Sequence, residues 1–383
     1  MIPAERLKYT EEYYFSWKLK EIQHLNSEGR EIINLGIGNP DLPPPIDALK
    51  AISTAIYDID KHGYQPYNGI HELRESISIF YKKNYGVELN PQSEILPLFG
   101  AKEGIMHLSM AYLDKGNNVL VPDPGYATYS SVTKLVESNI MYYNLKPPDW
   151  YPDLQELEDK DLSNTKIMWL NYPHMPSGAK ATYQVFERII EFGIKHNILI
   201  INDNPYSFIL TEKPMSLMQV EGASDIAVEL NSLSKTFNMA GWRVGMLVGN
   251  SDVVSNVLKV KSNMDSGMFY GMQAGAIAAL NSEIGWYKEI NNTYRKRRDI
   301  VWKIADLLDY SYDKNAEGFF VWCKFDSEST SYEESEKLMI LYDLFVTPGE
   351  IFGKNGAKHL RFSLCVNESK LNEILYRIQS RKN

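Results

Sequence analysis

The sequence predicts an α/β protein: a large three-layer domain around a mostly parallel central sheet, joined to a smaller α+β domain. Three observations carry that prediction. Through the middle of the chain, short apolar runs alternate with longer stretches of helical period, the order expected of right-handed strand–helix–strand crossovers. Three of the runs are almost continuously apolar, as strands covered on both faces should be. Near Ser282 the alternation gives way to a long amphipathic stretch followed by shorter strands, which marks a second folding unit.

The large domain is expected over residues 46–281, with residues 1–45 and 282–383 forming the small one. Residues 95–99 read as a strand leading into a helix over 101–114, where Ile105, Leu108, Ala111 and Tyr112 share a face. Strands follow at 118–122, 166–171, 198–203 and 226–231, with a helix over 184–196. In such sheets ligands sit beyond the carboxyl ends of the strands, and Asn171, Asp203 and Ser232 fall at or just past three such ends. In the small domain a helix over 286–310 carries Arg295-Lys-Arg-Arg298, read as a solvated face, before strands at 319–325, 344–347 and 359–364. No internal repeat or low-complexity tract interrupts this order.

Composition narrows the possible partners. The 383 residues include 49 acidic and 40 basic side chains, a formal charge of −9 that argues against nucleic acid. The two cysteines, Cys323 and Cys365, cannot form a disulfide framework and read as buried side chains in a reducing compartment. No Cys/His cluster has metal-ligand spacing, so no metal is expected. The N-terminus lacks the apolar core of a secretory signal, and no apolar run approaches the ~20 residues that span a bilayer. A cytoplasmic protein without a membrane partner is expected.

The most informative segment is Ser232-Leu-Ser-Lys-Thr-Phe-Asn-Met-Ala-Gly-Trp-Arg-Val-Gly245. A lysine that forms a Schiff base beside a bound phosphate needs such parts. Its amine must be partly desolvated to act as a nucleophile, while hydroxyls and a guanidinium carry the phosphate charge. The plainer alternative is a surface Ser-Lys turn beside a glycine-tolerant strand. Gly100-Ala-Lys-Glu-Gly104 opens a helix with small residues, which lets backbone N–H groups approach an anion. Lys102 opposes the helix dipole there, so its charge suits a ligand. Asp203 is either a turn aspartate or a carboxylate that keeps a ring nitrogen protonated. Tyr206 could then bond an oxygen on the same ring. Tyr126, in a turn with two prolines, is either a core tyrosine or a stacking platform. Arg361 lies in an apolar strand and needs a partner, supplied by a structural ion pair or by a substrate carboxylate.

Across nearly its whole length the chain resembles the pyridoxal-phosphate-dependent aminotransferases of class I/II, fold type I. The resemblance rests on Asn34-Leu-Gly-Ile-Gly-Asn-Pro-Asp41, Tyr64-Gln-Pro-Tyr-Asn-Gly69, Gly100-Ala-Lys102, Pro124-Gly-Tyr126, Asn171-Tyr-Pro-His-Met-Pro-Ser-Gly178 and Asp203-Asn-Pro-Tyr206. The segment from Ser232 to Arg243 and Val346-Thr-Pro-Gly349 ahead of Arg361 complete the set.

The resemblance implies that Lys235 bonds the cofactor aldehyde and shuttles the substrate proton. It places Asp203 at the pyridinium nitrogen, Tyr206 at the ring oxygen and Tyr126 on the ring face. The phosphate would be held by Gly100, Ala101, Lys102, Ser232, Ser234 and Arg243. Tyr64 would reach the phosphate of a neighbouring subunit, which implies a homodimer with shared sites. Arg361, helped by the backbone at Gly38, would bind the substrate α-carboxylate. Cis peptides are implied before Pro124 and Pro176. One residue departs from the pattern: Met175 stands where the family usually has an asparagine that donates to the ring oxygen, and a thioether cannot donate.

The segments 11–16 and 261–269 are similar to a branch that includes LL-diaminopimelate aminotransferases, and Tyr13 is then expected to close over the substrate. Where dicarboxylate-specific relatives place a second arginine, this chain has Lys261 or Met264, which disfavours aspartate. The activity implied is transfer of an amino group from an L-amino acid to a 2-oxo acid by a ping-pong mechanism. A C–S lyase or decarboxylase would share these motifs. A non-catalytic ligand sensor is disfavoured, because the chain is acidic and lacks room for a DNA-binding domain ahead of Tyr13.

Overall fold

A computed structural model of the protein describes residues 1–9, 12 and 14–382. Strand β1 (Ile33–Asn34) lies in the N-terminal segment. The central sheet is built from β2 (Ile95–Leu98), β3 (Asn118–Asp123), β4 (Asn139–Asn144), β5 (Thr165–Leu170), β6 (Leu199–Asp203), β7 (Ala227–Ser232) and β8 (Gly245–Gly249). Their spatial order is β2-β8-β7-β6-β5-β3-β4. The sheet is mostly parallel, as expected; β8 alone runs against its two neighbours, β2 and β7.

The apolar runs make the buried middle of the sheet. Ile167, Met168, Trp169 and Leu170 on β5 are fully buried, as are Ile200 and Ile201 on β6. The sequence reading placed no strand at β4, a half-exposed edge strand with a mixed surface, and did not resolve β8 as a sheet strand. The helix Tyr183–His196 covers one face: Thr182 accepts from the Val185 N–H at its start, and Asn197 ends it in a left-handed conformation.

Beyond residue 282 the chain forms β9 (Phe320–Lys324), β10 (Leu344–Phe345), β11 (Thr347–Pro348) and β12 (His359–Ser363). The order β11-β12-β9 makes an antiparallel sheet. The single strand expected at 344–347 is instead two. Strand β10 pairs in parallel with β1, setting Ile33 opposite Leu344, whereas β11 joins β12. Pro348 has no N–H to extend the pairing further.

The basic run on the helix Ile284–Leu307 is not wholly solvated, which corrects the sequence reading. Arg297 is 3% exposed and grips Asp41 with two hydrogen bonds of 2.6 and 2.9 Å, also donating to the Leu364 carbonyl. Helical period puts Arg297 on the same face as Tyr294 and Val301, both buried, so one member of the run had to turn inward. Cis peptides precede Pro124 and Pro176, and also Pro148 and Pro173.

Candidate active site

Strands β5, β6 and β7 end at a cavity of about 410 Å³ lined by Asn171, Asp203, Ser232 and Lys235 among others. Strand β7 gives way at once to the one-turn helix Leu233–Thr236, because the Ser232 hydroxyl accepts from the Ser234 N–H at 3.1 Å and caps it. That turn carries Lys235 into the cavity, where its Nζ donates to the Gly38 carbonyl at 2.6 Å. Burial pushes the Lys235 ammonium down to about 8, with the Arg361 and Arg243 charges acting the same way.

Asp203, at the end of β6, is 5% exposed. Its Oδ2 accepts from the Tyr129 hydroxyl at 3.0 Å, and its Oδ1 is buried without a hydrogen-bond partner. Burial pushes this carboxyl up to about 7 against the lowering effect of the Tyr129 bond. Asn171 fixes the neighbouring strand ends: its Nδ2 donates to the Asp203 carbonyl, and its Oδ1 accepts from the Met175 N–H. Tyr206 and Tyr126 line the cavity, and burial raises both phenols above their ordinary values.

Beside these, the turn from β2 into the helix Ala101–Tyr112 meets the chain that follows Lys235. Gly100 has φ +87°, and a Cβ there would fall 2.3 Å from Arg243 Nη2, so the guanidinium lies directly against bare backbone. Gly245 is equally constrained, since a Cβ there would fall 2.7 Å from the Ala101 nitrogen. Ala101, Lys102, Ser232, Ser234 and Arg243 all line this end of the cavity. Burial and the nearby Arg243 charge lower the Lys102 pKa.

Arg361 lies on β12, 5% exposed. Its Nη2 donates to the Gly36 carbonyl at 2.8 Å, its Nη1 lies 3.0 Å from the Met175 sulfur, and its Cζ stands 4.0 and 4.6 Å from the ring centres of Phe320 and Phe352.

Thus the structure gathers Gly38, Ala101, Lys102, Tyr126, Asp203, Tyr206, Ser232, Ser234, Lys235, Arg243 and Arg361 at one cavity, with Gly100 backing it. Tyr64 is not among them and stands 93% exposed. Tyr13 lies outside the described residues. Sequence reasoning missed Tyr129, whose spacing of three from Tyr126 carried no sign of its bond to Asp203. It also missed the apolar lining from Phe15, Leu19, Ile37, Phe320 and Phe352. Lys261 and Met264 do not line this cavity. Lys261 is buried against Asp265 and Phe99, near Glu103 and His107, so an ammonium already serves the one three-residue group of described residues spaced to hold a cation.

The pyridoxal phosphate implied by the sequence fits these residues. A buried carboxylate oxygen without a partner suits a protonated ring nitrogen. A glycine-lined helix start with a guanidinium beside it suits a phosphate, and a desolvated lysine amine suits an aldehyde.

Comparison with known proteins agrees. The family model described as aminotransferase class I and II matches residues 30–378. An LL-diaminopimelate aminotransferase of Natranaerobius thermophilus is 37% identical over 381 residues, covering 99% of both chains. One from Halothermothrix orenii is 36% identical over 380 residues, covering 98% of both. Among solved structures, apo-BacF of Bacillus subtilis matches with a TM-score of 0.96 at 34% identity, covering 100% of this chain and 99% of that one.

Proposed function

The chain belongs to the class I and II aminotransferases, and from that membership we propose how its side chains divide the reaction. The protein is a pyridoxal-phosphate-dependent aminotransferase that moves an amino group from an L-amino acid to a 2-oxo acid by a ping-pong mechanism. The relatives above carry aminotransferase names, which favours transfer over elimination or decarboxylation. When bound, the cofactor supplies an aldehyde that couples to primary amines and a ring that draws electrons from the substrate α-carbon.

Lys235 is the group that holds the cofactor and then moves the proton at the α-carbon. The observation carrying this reading is its buried amine sharing one cavity with the unpartnered buried Asp203 oxygen. Asp203, steadied by Tyr129, would hold the positive charge at the ring nitrogen. Tyr206 would donate to the ring oxygen, and Tyr126 would cover the ring face. Gly100, Ala101, Lys102, Ser232, Ser234 and Arg243 neutralise and anchor the phosphate. Arg361 takes the substrate α-carboxylate beside Gly38, and Tyr13 is proposed to close over it. An amino donor given alone to the holoenzyme tests the activity. Stoichiometric formation of pyridoxamine phosphate is expected, and release of pyruvate and ammonia instead would contradict it.

The enzyme is proposed to be a cytoplasmic homodimer. Among the described residues no helix is long and apolar enough to cross a membrane, and the net charge is negative. The exposed Tyr64 has no role in its own cavity, which suits service in a partner's site. Coexpressing Tyr64→Ala with Lys235→Ala should then produce mixed dimers with one intact site, regaining about a quarter of the wild-type sites when the chains pair at random. Activity no higher than the Tyr64→Ala homodimers supply would place Tyr64 outside the partner's site.

Met175 brings a sulfur, not a donor, to this region. The bound cofactor's ring oxygen is therefore proposed to hold its proton more tightly than it would beside an asparagine. Met175→Asn should lower the pH midpoint of the bound cofactor's absorbance change, and an unchanged or higher midpoint rules the idea out.

A further inference from the structure

The charged residues lining the cavity are all engaged by the reading above. Lys102 and Arg243 lie at the glycine-lined helix start, Asp203 and Lys235 at the strand ends, and Arg361 on β12. Among the described residues lining this cavity, no cation is left over from those roles. The wall there is built by Phe15, Leu19, Ile37, Phe320 and Phe352. Three of these rings surround the guanidinium itself, with Phe15 at 5.9 Å and Phe320 and Phe352 closer.

Phe15 and Leu19 come from α1 (Tyr14–Ser27) and stand four residues apart, on one helix face. The helix is held in place by Lys18, whose buried ammonium bonds Glu21 at 2.9 Å and Glu336 on the helix Ser331–Tyr342. The face that lines the cavity is therefore fixed to the fold. Leu19 is nonetheless 41% exposed, an apolar side chain at the rim of a site that takes charged amino acids.

We infer that the preferred amino acid of this enzyme has an apolar side chain, aromatic or long aliphatic, that packs against Phe15 and Leu19, and that α1 is the specificity element. The inference rests on Arg361 as the α-carboxylate site. A second carboxylate or ammonium on the substrate would be partly desolvated against these apolar side chains, and the described residues of this chain that line the cavity offer it no uncommitted charge. Diaminopimelate carries both at its far end, so this chain differs in preference from the relatives named for that substrate. A single methylene in an apolar pocket discriminates by about 10–200-fold, enough for this wall to set the choice.

The test uses holoenzyme and two readouts. The first is the cofactor's absorbance during titration with unreactive carboxylates, 3-phenylpropionate against succinate. The second is the half-reaction with L-phenylalanine, L-leucine, L-aspartate, L-glutamate and LL-diaminopimelate. Phenylpropionate should bind at least about tenfold tighter than succinate, and the apolar donors should show the higher kcat/KM. Phe15→Ala and Leu19→Ala should each erode that preference several-fold with cofactor affinity unchanged. Leu19→Arg, at an exposed position that tolerates charge, should shift it toward the dicarboxylates. Faster conversion of an acidic donor or of diaminopimelate overturns the inference and leaves the aminotransferase reading standing, as does a preference that none of the three variants moves. Conversion by no amino acid would instead bring down the reading of the site, and this inference with it.

Discussion

Lys235→Ala should lower kcat/KM by ~10⁴-fold or more, because this one side chain is proposed to supply both the covalent anchor and the proton carrier. Lys235→Arg should fare no better, since a guanidinium stays charged at any working pH. It also controls for folding by preserving length and charge. Borohydride reduction followed by peptide mapping should locate the cofactor on Lys235 in the wild type and nowhere in either variant. A variant within tenfold of wild type, or an adduct at another lysine, would remove the foundation of the proposal. The pH dependence is specific as well. With burial holding the ammonium at about 8, the rate at which cofactor-free protein captures the aldehyde should rise with pH around a midpoint near 8. A midpoint near the ordinary lysine value would show that the amine is not desolvated as described.

Asp203→Ala should reduce kcat by about 10²–10³-fold, the usual cost of deleting one preorganised electrostatic partner from an enclosed site. Asp203→Asn separates charge from shape, because an amide oxygen can still accept from Tyr129. Without cofactor, the wild-type carboxyl titrates at about 7 in the folded protein and near 3.8 in an unfolded chain. Between those values the folded protein retains a proton that the unfolded chain has released, so this group lowers stability as pH rises through the window. Its penalty is complete above pH 7 and vanishes toward pH 4. Cofactor-free Asp203→Asn should therefore be more stable than wild type at pH 8, by on the order of a few kcal/mol, with the gain narrowing as pH falls. A pyridinium charge opposite Asp203 should offset the same penalty, so loss of activity accompanied by gain of apoprotein stability is the signature. Lower stability of the variant at pH 8 would argue that the wild-type carboxylate has a partner already.

Much of the large sheet was legible because its strands are buried on both faces and therefore apolar without interruption. The edge strand β4 was not, since a half-exposed strand with Asn139, Tyr142 and Asn144 has no such signature. The solvated reading of the basic run failed at Arg297, whose partner Asp41 is 256 residues away. Likewise β10 and β11 read as one strand, because nothing local tells Leu344 to pair with Ile33 and Thr347 with Arg361.

The order of chemical groups along the chain was written in the sequence alone: an amine after a strand, a carboxylate at another strand's end, glycines at a helix start and an arginine within an apolar strand. These are local necessities, since backbone conformation and strand ends depend on nearby residues. Tertiary structure decided what surrounds each group: Tyr129 on Asp203, bare backbone against Arg243, Met175 and aromatic rings on Arg361, and the apolar face of α1 over the cavity. Those neighbours come from distant segments, and burial among them, which no local pattern encodes, sets the charge on Lys235 and Asp203.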